Sequence, residues 1–118
     1  MRSATIINGW DIGGVNIKAV RVEWHGNRAR VIKAVSIPFE IWHNPSELAD
    51  QLKIAGQNLT FKTEEPHGVT ITAELSDAFR IKREGIHFIL SALQKAFVYS
   101  PVYIFNLEGG FYNFLEAD

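Results

Sequence analysis

A chain of 118 residues, of which 47% are hydrophobic and 21% charged, is long enough to bury a core and has the size of one domain. The net charge of −1 argues against a broad basic footprint for DNA or RNA, and the absence of cysteine excludes disulfides, cysteine-ligated zinc and thiol nucleophiles. The opening MRSATIIN contains no long apolar run, so it predicts neither a signal peptide nor a membrane anchor, and we expect a cytoplasmic protein.

Three antiparallel strands are predicted at the start of the chain. Residues 4–11 (ATIINGWD) form an apolar run typical of a strand covered on both faces. In residues 16–24 (NIKAVRVEW), alternation places Val20 and Val22 on the face of Lys18, and Ile17 and Ala19 on the opposite face. A turn at 25–27 then leads to a third strand at 29–37, which Pro38 ends.

Two helices alternate with two further strands in the rest of the chain. Asn44 as N-cap, Pro45 and Glu47 predict a helix over residues 45–57. A β-branched run at 68–73 predicts a buried strand. A second helix is predicted from residue 83, and VYIFN at 102–106 predicts the last strand; the apolar stripe of that helix comprises Ile86, Ile89, Leu90, Leu93 and Phe97.

The predicted order β-β-β-α-β-α-β indicates an α/β fold, in which hairpin strands and two crossover units form a mixed sheet with helices packed on it. No third helix is predicted to cover the last strand, so we expect an exposed apolar patch at FVYSPVYIF. Trp10, Trp24 and Trp42 are assigned to the core or an interface. The histidines lack metal-like spacing, and His25 and His67 are placed in turns.

The stretch GWDIGGVNIKAV places an acidic residue, two glycines and a lysine where the first two strands meet. Gly13 and Gly14 allow positive φ and a close approach to the backbone, and the N–H groups of such a turn can form an anion-binding nest. Asp11 can hold a divalent cation such as Mg²⁺, while Lys18 can neutralise a phosphate. An ordinary hairpin with a surface lysine is the alternative interpretation of the same residues.

This motif, in the first hairpin of that element order, resembles the sugar kinase/Hsp70/actin superfamily, whose first phosphate loop joins two strands with an Asp and glycines. GWDIGGVNIKAV together with VTITAELSDAFRIKREGIHFIL (residues 69–90) is similar to the hydantoinase/oxoprolinase-related proteins linked to tetrahydromethanopterin and one-carbon metabolism. Archaeal members of that family join a furan-methyl diphosphate to a γ-glutamyl-tyramine in methanofuran biosynthesis, with release of diphosphate. Members are considerably longer chains.

The resemblance implies the ribonuclease H-like half of an actin-like fold. It predicts that residues 1–118 are one N-terminal actin-like ATPase-type subdomain, truncated before the second half of the cleft. It implies a transferase, and its phosphate loop with an Asp and glycines supports the interpretation of Asp11, Gly13, Gly14 and Lys18 as phosphate-binding residues, with Asp11 as the metal ligand.

A second charged cluster follows the strand at 68–73. Glu74 and Asp77 can bind Mg²⁺ or accept a proton from an attacking amine, because ligand sites in α/β sheets favour the carboxyl ends of strands. Arg80, Lys82 and Arg83 can pair with phosphate oxygens. The competing interpretation is that these charges cap and solubilise the start of the second helix.

Three functions therefore remain open from the sequence. The first is the transferase, acting on a phosphorylated small molecule. The second is an ATP-dependent hydantoinase-like or kinase-like half-domain with Mg²⁺ and ATP. The third is a non-catalytic domain that forms a homodimer through its exposed C-terminal surface.

Overall fold

The computed structural model describes residues 5–73, 82–105 and 111–113. It has an α/β architecture with strands β1 (Thr5–Ile12), β2 (Asn16–His25), β3 (Arg28–Pro38), β4 (His67–Ile71), β5 (Val102–Phe105) and β6 (Phe111–Asn113), and helices α1 (Leu48–Leu59) and α2 (Lys82–Ala96). The predicted order of seven elements is confirmed, and β6 is an addition that the sequence patterns did not predict.

The six strands form one mixed sheet in the order β3-β2-β1-β4-β5-β6. The first three strands are an antiparallel meander, whereas β4 pairs in parallel with β1 and with β5. Strand β1 is therefore central, with β2 on one side and β4 on the other. Its burial alternates along its length, so the expectation that it is covered on both faces is wrong for the described residues.

Both helices pack on one face of the sheet. This face carries the alternate residues Trp10, Ile12, Ile17 and Ala19, which join the helical stripes in a single core. The apolar stripe of α1 is fully buried and comprises Leu48, Leu52, Ala55 and Leu59. Of the five residues predicted for the stripe of the second helix, four are buried, including Phe97 just beyond the end of α2, and Ile86 is half-buried. The opposite face, which carries Asp11, Lys18 and Val20, has no helix among the described residues.

The start of α1 differs from the prediction. Residues Pro45–Glu47 form a turn of 3-10 helix, the α-helix begins at Leu48, and the side chain of Asn44 makes no capping hydrogen bond. The preceding segment is held instead by the main chain, because the N–H of Asn44 donates to the carbonyl of Glu40 at 3.3 Å. Thr60, in the left-handed conformation at φ 57°, ends the helix.

Among the helices of the described ranges, none combines the length and the apolar character needed to cross a bilayer. The predicted C-terminal apolar patch is divided in two by the fold. Phe97, Val102 and Ile104 belong to the core, whereas Val98 and Tyr99 are 61% and 84% exposed.

Candidate functional site

The loop between β1 and β2 is short and firmly held. The N–H of Gly13 donates to the carbonyl of Asn16 at 2.9 Å, which closes the turn. The carbonyls of Gly14 and Val15 accept from the N–H groups of Ile41 and Phe39 at 3.1 and 2.9 Å, so a segment from beyond β3 supports the loop. Main-chain hydrogen bonds therefore support the loop at each residue from Gly13 to Asn16.

The predicted phosphate site lies where β1 ends and β2 begins; we call it the corner, and its sequence-predicted residues are Asp11, Gly13, Gly14 and Lys18. Asp11 is directly opposite Lys18 in the antiparallel ladder and next to Thr70 in the parallel ladder with β4. All three lie on the helix-free face, beside a shallow cavity of about 330 Å³ that Gly9 and Val20 also line. Lys18 forms no ion pair with Asp11, so neither of these two charges neutralises the other.

Thr72 is a further residue of the corner, and sequence reasoning did not single it out. Its hydroxyl donates to Oδ1 of Asp11 at 2.7 Å, although the two residues are 61 positions apart. Its signal in the sequence was its place near the carboxyl end of the strand predicted at 68–73, because ligand sites in α/β sheets favour the carboxyl ends of strands.

The two glycines have roles that differ from the expected one. In the described part of the chain positive φ among glycines occurs only at Gly26, so the corner does not use the left-handed conformations predicted for Gly13 and Gly14. A Cβ at Gly13 would lie 3.2 Å from the carbonyl oxygen of Asn16 and 3.3 Å from the Thr72 hydroxyl. A Cβ at Gly14 would meet no atom within 4 Å, so the loop backbone at this glycine faces open space.

The second predicted cluster falls largely on residues that are not described. Glu74, Asp77 and Arg80 lie outside the described residues, and only the helical backbone of Arg83 lies within them. The residues directly before this cluster in the sequence are attached to the corner, because the N–H groups of Thr72 and Ala73 both donate to the carbonyl of Ile12. Residue 73 is thus held next to the end of β1.

The corner is compatible with Mg²⁺ as it is usually bound in phosphate sites. That ion prefers one or two carboxylates, with waters and phosphate oxygens as the other ligands. Asp11 supplies one half-buried carboxylate. No group of three potential metal ligands of the His, Cys, Asp or Glu type occurs in the part of the chain that the structure describes, so a cage made only of protein ligands is not formed there.

His67 lies on the helix-covered face and not in a turn, contrary to the prediction. It is the first residue of β4, it is fully buried, and its Nδ1 accepts a hydrogen bond from the Trp10 indole N–H at 2.9 Å. Its ring stacks on Phe97 at 4.4 Å and meets the edge of Phe61 at 4.5 Å. Desolvation by this burial lowers the pKa of His67 to about 4, although Glu65 opposes the shift. The imidazole is therefore neutral at pH 7.

A partly buried ion pair, in which Glu65 is buried and Arg21 is half-buried, lies next to this histidine. The guanidinium of Arg21 donates two hydrogen bonds to Glu65, Nε to Oε1 at 3.2 Å and Nη2 to Oε2 at 2.6 Å. Burial raises the pKa of Glu65, but hydrogen bonds from Arg21, the Lys62 N–H and Asn8 outweigh it and leave the pKa below its usual value. The pair ties β2 to the segment before β4, and its contacts are internal, so we interpret it as structural.

Solved structures establish the fold class. The chain matches the Ppx/GppA enzyme of Aquifex aeolicus with a TM-score of 0.54 and 10% identity, over 86% of this chain and 36% of that one. It matches T. thermophilus RuvC, solved in complex with a Holliday junction substrate, with a TM-score of 0.56 and 15% identity, over 88% of this chain and 66% of that one. The fold is ribonuclease H-like, as in actin-like proteins. At these identities the likeness concerns the fold alone.

A curated relative is much more similar in sequence. It is the (4-{4-[2-(γ-L-glutamylamino)ethyl]phenoxymethyl}furan-2-yl)methanamine synthase of Methanocaldococcus jannaschii, 35% identical over 112 residues, which are 95% of this chain. The chain spans about a third of that relative's length, 31%. No family model matches the chain, so membership of the hydantoinase/oxoprolinase-related family stays a prediction.

Proposed function

We propose that the corner formed by Asp11, Gly14, Lys18 and Thr72 binds a diphosphate group together with Mg²⁺, in a transferase similar to the Methanocaldococcus jannaschii synthase. The observation that carries the proposal is the placement of Asp11 opposite Lys18 on adjacent strands, with no ion pair between them. The Lys18 ammonium can bind the anionic oxygens of a ligand, the Asp11 carboxylate can bind its metal ion, and the backbone at Gly14 is accessible beside them.

Each residue of the corner has a distinct role in this proposal. The Lys18 ammonium neutralises a phosphate oxygen, and the bare backbone at Gly14 allows the phosphate to approach the loop closely. Asp11 supplies the carboxylate ligand of the cation, which when bound offsets the negative charge that a departing diphosphate carries.

The name of the relative indicates which bond such a transferase forms. A phenoxymethyl group joined to a furan is an aryl ether, so we propose a phenol oxygen as the nucleophile in place of the amine expected above. The bond between the furan methylene carbon and the diphosphate oxygen breaks, the bond between that carbon and the phenol oxygen forms, and diphosphate leaves. The phenol proton passes to Glu74 or Asp77, and Arg80 and Arg83 hold phosphate oxygens.

The chain corresponds to about a third of the relative. We therefore propose diphosphate binding for this chain, and the complete ether synthesis for a protein of the relative's length. The cytoplasmic location expected from the sequence belongs to the same proposal.

Titration calorimetry with magnesium diphosphate tests the site. We expect the unmodified chain to bind, Lys18→Met to weaken the affinity by about tenfold or more, and Asp11→Asn to remove the dependence on Mg²⁺, since one charge-assisted contact contributes about 1.5–3 kcal/mol. Lys33→Met is the matched control, an exposed strand lysine outside the corner. Unchanged affinity in both corner variants would refute the assignment.

Calorimetry with ATP and light scattering distinguish the two other functions from the transferase. Tighter binding of magnesium ATP than of magnesium diphosphate would favour the ATP-dependent half-domain. The exposure of Val98, Tyr99 and Tyr103 favours the dimer-forming domain as the second candidate. A dimer by light scattering, combined with no phosphate binding, would support that candidate against the transferase.

A further inference from the structure

We infer that Thr72 is the positioning residue of the corner, which holds the Asp11 carboxylate in one orientation with one oxygen left for the cation. The inference rests on the proposed diphosphate site for its functional meaning. Its structural content, that the Thr72 hydroxyl selects the Asp11 side-chain conformation, can be measured without any ligand.

The hydrogen bond itself assigns the two carboxylate oxygens different roles. The Thr72 hydroxyl donates to Oδ1 of Asp11 at 2.7 Å, the length of a strong bond to a charged acceptor. Oδ2 receives no hydrogen bond from any residue in the described ranges. Oδ1 is therefore engaged by the protein, and Oδ2 is the oxygen that remains for a metal ion.

The backbone of Thr72 is fixed where the hydroxyl needs it. The parallel ladder between β1 and β4 ends at the pair Ile12 and Ile71, so Thr72 is the first residue beyond it. The N–H groups of Thr72 and Ala73 donate to the same carbonyl, that of Ile12, at 3.0 and 3.1 Å. This double contact attaches the chain after β4 to the end of β1, next to Asp11.

The same hydroxyl lies close to the loop between β1 and β2. A Cβ added at Gly13 would lie only 3.3 Å from Oγ1 of Thr72, so there is little room for a side chain at position 13. A larger residue at position 13 would press on the hydroxyl that holds Asp11. Thr72 therefore lies between the Asp11 carboxylate that it binds and the glycine that leaves room for its hydroxyl.

Residue 72 offers substitutions that separate the hydroxyl from the rest of the side chain. Thr72→Ser keeps the hydroxyl, Thr72→Val replaces it with a methyl group in a similar shape, and Thr72→Ala removes it if the valine variant folds poorly. Thr70→Val is the matched control, because Thr70 is also a ladder neighbour of Asp11 but its hydroxyl makes no hydrogen bond to that carboxylate.

The test combines NMR of the free chain with calorimetry. Scalar couplings of the Asp11 side chain should report one χ1 rotamer in the unmodified chain, in Thr72→Ser and in Thr70→Val, and averaging in Thr72→Val or Thr72→Ala. In calorimetry, Thr72→Val should bind magnesium diphosphate about tenfold more weakly, whereas Thr72→Ser should stay close to the unmodified chain.

The possible results separate the two claims. A single Asp11 rotamer in both hydroxyl-free variants, or averaging in Thr72→Ser, would overturn the positioning role. Rotamer averaging confined to the hydroxyl-free variants, in a chain that binds no diphosphate, would support the positioning role and refute the proposed function. A loss of affinity without rotamer averaging would also overturn the positioning role.

Discussion

The buried His67 should make the stability of this protein fall as the solution becomes mildly acidic. Its pKa is about 4 in the folded protein and about 6.5 in an unfolded chain. The unfolded chain therefore binds the proton more tightly, so the free energy of unfolding is largest above pH 6.5 and decreases as the pH falls toward 4. Below pH 4 both states are protonated and this contribution no longer changes.

The geometry around His67 gives the reason and the magnitude. Nδ1 accepts from the Trp10 indole, so protonation would place a hydrogen on Nδ1 facing an N–H donor, inside a fully buried site. At 1.36 kcal/mol per pKa unit, the difference between 6.5 and about 4 corresponds to about 3 kcal/mol in total. About 2 kcal/mol of it should be lost between pH 7 and pH 5.

Urea unfolding at pH 7, 6 and 5 measures this loss when the unmodified chain is compared with His67→Phe. The phenyl ring keeps the stacking but cannot titrate, so the variant should lose about 2 kcal/mol less over this range, although the unpaired Trp10 N–H lowers its stability at every pH. His25→Gln, at an exposed histidine, is the control and should behave like the unmodified chain. Equal losses in the unmodified chain and His67→Phe would refute the reasoning, as would an NMR titration of His67 with a midpoint near 6.5.

Two further predictions use the same unfolding assay. Gly14→Ala should leave the free energy of unfolding unchanged or raise it by about 0.5 kcal/mol, because the added Cβ meets no atom within 4 Å, and it should weaken diphosphate binding in calorimetry. Gly13→Ala should lower the free energy of unfolding by about 1 kcal/mol or more, because its Cβ would lie 3.2 Å from a carbonyl oxygen. A strong destabilisation by Gly14→Ala would contradict the open space at the loop. Arg21→Met should destabilise the fold by about 3 kcal/mol because it leaves the Glu65 carboxylate buried without its cation, whereas a change below about 0.5 kcal/mol would mean that the pair contributes nothing.

Most elements were predictable because their signals are local. Strand alternation placed Val20 and Lys18 on one face and Ile17 and Ala19 on the other, and the structure has that division. The predicted start of the first helix at Pro45, with Asn44 as N-cap, is found as a turn of 3-10 helix, but the side chain of Asn44 makes no capping hydrogen bond. A local capping pattern contains no information about the contacts that hold Phe39 and Ile41 to the first loop. Strand β6 was missed because three residues after a glycine pair carry too little periodicity.

The sequence alone determined the element order and the approach of Asp11 to Lys18, because one hairpin joins these residues and its register follows from alternation and a short loop. Only the tertiary structure decided which strand lies on the other side of β1. That choice brings Thr72 to Asp11, 61 positions away, and His67 to Trp10, 57 positions away. No local pattern specifies such pairs, because they depend on the parallel pairing of β4 with β1, two strands that are far apart in the sequence.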